Sequence, residues 1–148
     1  MKNFKLFTAL FLASLFISAN AFSQTIGVLD YKTVLMNYNY AKETIKMLDS
    51  KDTEMQQYML DKEKQFKNLT SPVEQKSFEE RVQREYKAKV DALTKLKIQK
   101  EEEIYKNVLA ATKKVATAKK IDVVVDSSVI ITGGIDITSE VVSGLNSK

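Results

Sequence analysis

Acid–base or metal chemistry in this 148-residue chain would have to rest on carboxylates, because the chain has no histidine and no cysteine. The best placed are Asp30, Asp122 and Asp126, which flank short apolar runs. In a strand, Asp122 and Asp126 would face the same side, since side chains alternate with a period of two. Such a pair could share a proton or ligate a cation, but aspartates beside Val-rich strands more often end the strand and cap the turn. There is no Gly-rich phosphate loop and no HExxH-type spacing. No catalytic residue, cofactor site or metal ligand is therefore assigned, and the chain reads as a non-enzyme. The six tyrosines, Tyr31, Tyr38, Tyr40, Tyr58, Tyr86 and Tyr105, fall on helical or helix-flanking positions and read as packing residues rather than a base-stacking platform.

The elements around these residues are dominated by one charge-rich helical pattern, from about Tyr31 to about Lys120. It is broken once, at Thr70-Ser71-Pro72, by the only proline. Proline suits the first position of a helix, and Ser71 with Glu74 has the spacing of a capping box. The pattern predicts a long antiparallel helical hairpin over 33–120 with its tip near 70–72. At about 1.5 Å per residue, each arm would run on the order of 60 Å and project from any compact body.

Along the first arm, Val34, Tyr38, Ala41, Ile45, Leu48, Asp52, Met55, Met59, Lys62, Phe66 and Leu69 alternate steps of four and three, the spacing of a coiled-coil seam. Asp52 and Lys62 loosen that seam or fix its register. On the second arm, Val82, Tyr86, Val90, Leu93, Ile104, Val108, Ala111, Val115 and Ala118 share a face, and Val82, Leu93, Ile104 and Val115 recur every eleven residues. An eleven-residue repeat favours a straight or weakly right-handed helix. The unlike periods predict imperfect pairing.

The N-terminus carries Lys2 and Lys5, an apolar run from Leu6 to Ile17, and Ala19-Asn20-Ala21. The run is shorter than the roughly 20 residues of a membrane anchor, and Ala-x-Ala fits a signal peptidase. Residues 1–21 read as an export signal cleaved after Ala21, leaving 148 less 21, or 127 residues, as one domain over 22–148. Without cysteine, the product can be neither a lipoprotein nor disulfide-bonded. Only 22–32 and 121–148 are left for a compact body, and so small a core calls for oligomerisation.

Both ends of that body read as strands. Thr25–Asp30 and Ile121–Asp126 are apolar and β-branched, Ser127-Ser128 turns the chain, and Val129–Thr132 reads as a third strand. Gly133-Gly134 follows as a loop, and Asp136 or Thr138 can cap a helix reaching about Leu145. The hairpin is then an insertion in a small sheet, giving an α+β fold. Its open edges and Val-rich strands suit pairing with copies of itself.

The net charge of +4 falls to +2 without Lys2 and Lys5. Arg81 to Lys120 holds twelve bases against five acids, a local charge of +7. Such a surface attracts acidic polypeptides, anionic lipid or nucleic acid, of which export excludes the last as a partner. It also serves as a solvated face.

The ends of the chain resemble the OmpH/Skp family of periplasmic chaperones. The resemblance lies in Ile26-Gly27-Val28-Leu29-Asp30, in Lys120-Ile121-Asp122-Val123-Val124-Val125-Asp126, and in Asp136-Ile137-Thr138-Ser139-Glu140-Val141-Val142, around a basic hairpin of matching length. It implies a homotrimer whose strands form a small barrel-like body with hairpins hanging around a cavity. The implied activity is that of an ATP-independent holdase for unfolded outer-membrane proteins, with lipopolysaccharide or anionic lipid as further partners. The strand residues expected to build the trimer are Ile26, Val28, Val123, Val125, Val129 and Ile131. The arm offers Met47, Met55, Met59, Phe66 and Phe78 as adaptable apolar contacts, with Arg81, Arg84, Lys87, Lys89, Lys95 and Lys97 for acidic clients. No individual binding residue is carried over from the family. The competing reading is an envelope adaptor whose hairpin docks on a folded partner or an anionic membrane surface.

Overall fold

The computed structural model describes residues 24–147. The expected signal segment and its cleavage site lie outside them. The fold is mostly helical around a three-stranded parallel sheet of order β2-β1-β3. Strand β1 (Ile26–Leu29) is central, pairing with β2 (Val123–Asp126) from Ile26↔Val123 to Leu29↔Asp126, and with β3 (Ile135–Asp136) through Gly27↔Ile135 and Val28↔Asp136. Parallel neighbours require a crossover between them, and everything from Asp30 to Asp122 is that crossover. The chain's two ends thus close one sheet around the long helical insertion, as the sequence predicts.

The third strand differs from its expected place. Val129 lies in a single 3-10 turn (Ser127–Val129), and Ile130–Gly134 forms no regular element. Asp126 accepts the Ser128 N–H at 2.9 Å and turns the chain away from the sheet. Val129 and Ile131 are consequently 72% and 102% exposed and belong to no strand. Gly133 and Gly134, at φ +91° and +90°, bring the chain back to lay β3 beside β1. Gly134 sits so close that an added Cβ would lie 2.5 Å from a Val28 methyl. β-branching alone suggested a strand at 129–132, but a strand also needs a partner edge.

Helix α1 (Tyr31–Asn37) begins at Asp30, whose carboxylate accepts both the N–H and the hydroxyl of Thr33. The first arm is not continuous: Tyr38 leaves helical geometry at ψ 115°, and α2 (Asn39–Lys67) starts after it. At 29 residues α2 is about 44 Å long, and at 48 residues α3 (Pro72–Lys119) is about 72 Å. Between them Asn68 and Leu69 donate back to Gln65 and Phe66, tightening the last turn of α2. Pro72 opens α3 as expected and Glu74 lies in its first turn, but the capping box does not form: the Ser71 side chain makes no capping bond. The Gln75 amide donates instead to the Leu69 carbonyl at 2.8 Å, tying the helix start to the turn. Helix α3 ends at Lys120, left-handed at φ 54°, with the Ile121 N–H on the Ala116 carbonyl and the Lys120 N–H on that of Thr117. That pair of bonds is a Schellman motif, and it buries Ile121.

The last helix, α4 (Thr138–Asn146), starts with Asp136 accepting the Thr138 N–H, while the Thr138 hydroxyl accepts the Asp30 N–H. The main core sits where these ends meet. Leu29, Val34, Tyr38, Ala41, Ile104, Val108, Ile121, Ile137, Val141 and Leu145 form one buried cluster, with Val34, Ile137 and Val141 fully enclosed. Toward the tip only Phe78 and Val82 reach comparable burial among the described residues.

Contacts between α2 and α3 descend on one helix as they ascend on the other: Asp52 meets Lys97, Tyr58 meets Glu85, and Phe66 meets Phe78. The inward positions of the first arm depart from the expected seam at two places. Thr44 is buried and Ile45 is 52% exposed; Tyr58 turns inward and Met59 is 39% exposed. A straight helix at 3.6 residues per turn drifts away from a strict heptad, and here the drift is absorbed by steps of 41, 44 and 55, 58. Thr44, Met55 and Phe66 then recur every eleven residues, matching the repeat on the second arm, so the expected mismatch of periods is absent.

Candidate functional site on the helical arms

The three candidate aspartates each accept a backbone N–H, Asp30 and Asp126 as helix caps and Asp122 from a residue distant in sequence. Asp30 holds Thr33, Asp126 holds Ser128, and Asp122 accepts the Thr25 N–H at 2.8 Å. The hydrogen bonds from Thr33 keep the Asp30 carboxyl below its ordinary pKa, and those from Ser128 do the same for Asp126. Among the described residues, no cluster of three or more acidic, histidine or cysteine side chains could hold a metal ion.

A different kind of site lies near the tip. Met55, Met59, Phe66, Phe78, Val82 and Tyr86 line an open groove of about 790 Å³ between α2 and α3. Four of the five apolar residues singled out from the sequence therefore come together, while Met47 does not line the groove. Phe66 and Phe78 stack in a tilted pair with centroids 6.2 Å apart, leaving Phe78 only 8% exposed, while Met59 stays accessible. Thioethers on rotatable stems adapt to varied side chains, which suits a surface without one fitted ligand.

The six basic candidates divide into two groups. Arg81, Lys89 and Lys97 are committed within the hairpin. Arg81 lies 5.3 Å from the Phe78 ring centroid, Lys89 lies 5.0 Å from that of Tyr58, and Lys97 pairs with Asp52 at 2.9 Å. Arg84, Lys87 and Lys95 are exposed and form no salt bridge among the described residues, so these three present their charge outward.

Between the groove and the body, Tyr58 is the centre of a network. Its hydroxyl donates to Glu85 at 2.6 Å, and Lys62 sits 5.2 Å from its ring and 3.9 Å from the same carboxylate. Burial and the bond to Glu85 push the Tyr58 phenol up to about 12, and that bond holds Glu85 below its ordinary value. Nearer the body, Lys100 donates to the Tyr40 hydroxyl at 2.6 Å and to Glu103 at 2.9 Å, which raises its pKa. The seam charges Asp52 and Lys62 are thus partnered across the hairpin. Tyr58 and Tyr40 are the residues that sequence reasoning passed over as packing; the Tyr58/Lys62 spacing of four on one helix was the available signal. Leu60, Val82 and Tyr86 were likewise missed as groove residues.

In the sheet, Ile26, Val28, Val123 and Val125 alternate with Gly27, Leu29 and Val124 and are in register, so the four share one face. Leu29 and Val124 belong to the core side; Ile26 and Val123 are 42% and 44% exposed. No helix among the described residues is long and apolar enough to cross a membrane.

A family model described as outer membrane protein (OmpH-like) matches residues 25–145, nearly all of the described chain. No curated protein matches it in sequence.

Proposed function

Because this chain belongs to the OmpH-like outer-membrane-protein family, a family of periplasmic chaperones, we propose that it is an ATP-independent holdase that keeps unfolded outer-membrane proteins from aggregating before insertion. The mature protein is the single domain 22–148, released into the periplasm by cleavage after Ala21. Three copies join through the Ile26, Val28, Val123 and Val125 face into a barrel-like body, and three antiparallel hairpins hang from it around a cavity. The half-exposed apolar sheet face supports this, since a three-stranded sheet gains most by pairing with copies.

The observation that carries the reading is the Met- and Phe-lined groove on the arm, together with exposed Arg84, Lys87 and Lys95 on helix α3. A holdase must bind many sequences weakly, and several such surfaces around one cavity raise the effective concentration without any fitted pocket. Cationic side chains draw acidic stretches of the client, so binding weakens with salt. Anionic headgroups, lipopolysaccharide among them, would meet the same basic surface.

Light scattering on the mature protein, alone and with a urea-unfolded outer-membrane barrel protein, tests this directly. A mass near three chains that becomes a soluble complex supports the proposal. A monomer that leaves the client to aggregate refutes it. One stoichiometric folded partner, or binding to anionic vesicles without client protection, would favour the adaptor or membrane-surface reading.

A further inference from the structure

The break at Tyr38 creates a specific problem of backbone hydrogen bonding. Helical bonds continue on either side, from the Tyr38 N–H to Val34 and from the Lys42 N–H to Tyr38. Residues 39–41 open a new helix and lose the carbonyls four residues back, among them that of Asn37. Two of the groups freed on opposite sides of the break are met by a single side chain from the far end of the sequence. Asn146, the last residue of α4, accepts the Asn39 N–H at 2.9 Å and donates to the Asn37 carbonyl at 2.9 Å. Backbone chemistry forces this orientation of the amide: only its oxygen can serve the N–H, and only its nitrogen the carbonyl.

The neighbouring contacts place a pivot here. Tyr38 is buried, and its hydroxyl accepts from Asn107 of α3 at 3.2 Å, so the break is anchored to the second arm. Helix α1 is fixed in the body core through Val34, while α2 runs outward beyond Ala41 and Thr44 with no further fully buried residue. A bend at Tyr38 would therefore change the direction of α2 relative to the body, and the Asn146 amide spans that bend.

We propose that Asn146 is a splint across the Tyr38 break, through which the C-terminal helix sets the angle at which the first arm leaves the body. With the splint in place the two helical segments act as one bent rod; without it the arm pivots at Tyr38. This holds whether or not the arms carry a client.

The test uses the mature chain, which has no native cysteine. Spin labels at Asn68→Cys on the tip and Ser143→Cys on α4, diluted with unlabelled chain, report the distribution of arm positions. Amide exchange at Asn39 reports the splint itself. For Asn146→Ala we expect a broader distance distribution and about tenfold faster exchange at Asn39, the order expected for loss of one net hydrogen bond. Asn146→Asp keeps the acceptor and loses the donor, so Asn39 stays protected while the distribution still broadens. Ser147→Ala, which removes a hydroxyl bond to Gly144 only, leaves both unchanged. An Asn146→Ala protein with parental Asn39 exchange, or with a parental distance distribution, would overturn the proposal. If Asn146→Ala fails to fold, Asn146→Asp decides alone: a parental distribution refutes the splint.

Discussion

Replacing Gly134 by alanine should destabilise the body more than the same change at Gly133, and the reason separates two physical effects. Both residues have φ near +90°, where a Cβ is strained, at a cost of about 1–2 kcal/mol. At Gly133 the new methyl meets nothing within 4 Å, so strain is the whole effect. At Gly134 it would lie 2.5 Å from the Val28 Cγ2, and Val28 is held on the central strand with a neighbour on each side. Overpacking of this kind adds about 1–3 kcal/mol, for a total of about 2–5 kcal/mol. Gly144 is the internal control. It is helical with open space around it, so Gly144→Ala should stabilise by about 0.5–1 kcal/mol. Urea unfolding followed by circular dichroism, at one protein concentration throughout, gives the order Gly144→Ala above parent, parent above Gly133→Ala, and Gly134→Ala lowest. With a slope of about 1.5–2 kcal/mol per molar urea, Gly134→Ala loses about 1–3 M in midpoint. If Gly134→Ala were no worse than Gly133→Ala, the return of the chain against Val28 would be wrong, and with it the placement of β3.

Three other perturbations test the arms and the base. Lys119 donates to Glu140, and that bond with the local hydrogen bonding holds the Glu140 carboxyl at about 2, against an unfolded value near 4.5. Because the folded pKa is the lower one, the stabilisation is full above about pH 4.5 and disappears toward pH 2; melting curves of parent and Glu140→Gln should converge as pH falls through that window. A double-mutant cycle of Asp52→Ala and Lys97→Ala should give a coupling of only about 0.2–1 kcal/mol, since both side chains are nearly half exposed. Phe78→Ala should cost about 3 kcal/mol and raise amide exchange around the tip turn, while the Ile137 and Val141 region keeps its protection; uniform loss would show that tip and body form one cooperative unit.

The hairpin, its tip at the lone proline and the pairing of the chain's ends were all legible, because each rests on local chemistry or strong periodicity. So was the gathering of Met55, Met59, Phe66 and Phe78, since residues at helical spacing near a turn must meet across it. What escaped depends on partners distant in sequence. The Tyr38 break carries no glycine or proline; it is stabilised by Asn107 and Asn146, about 70 and 110 residues away, which no window of local sequence contains. Val129 and Ile131 have strand-forming side chains, yet Asp126 and two left-handed glycines route the backbone past them. Among the basic residues, composition gave the charge, but only the folded geometry shows that Lys89 and Lys97 are spent on a ring and a carboxylate of the facing helix and Arg81 on the Phe78 ring one turn away on its own helix, while Arg84, Lys87 and Lys95 are not.

Because inward positions on both arms repeat every eleven residues, arm length is a quantity that can change in whole units. Eleven residues are close to three helical turns, or about 16 Å of rise. Adding or removing one such unit in α2 together with one in α3 returns every side chain below the edit to the same face, with the body, the Tyr38 break and the tip turn untouched. A matched pair of units would act as a notch on a ruler, because each keeps the eleven-residue phase of the seam, whereas an insertion of seven residues would leave the tip groove about 30° out of phase with that repeat. The reach of the molecule is in this sense written in the spacing of Thr44, Met55 and Phe66 against Val82, Leu93 and Ile104, independently of what holds the three strands together.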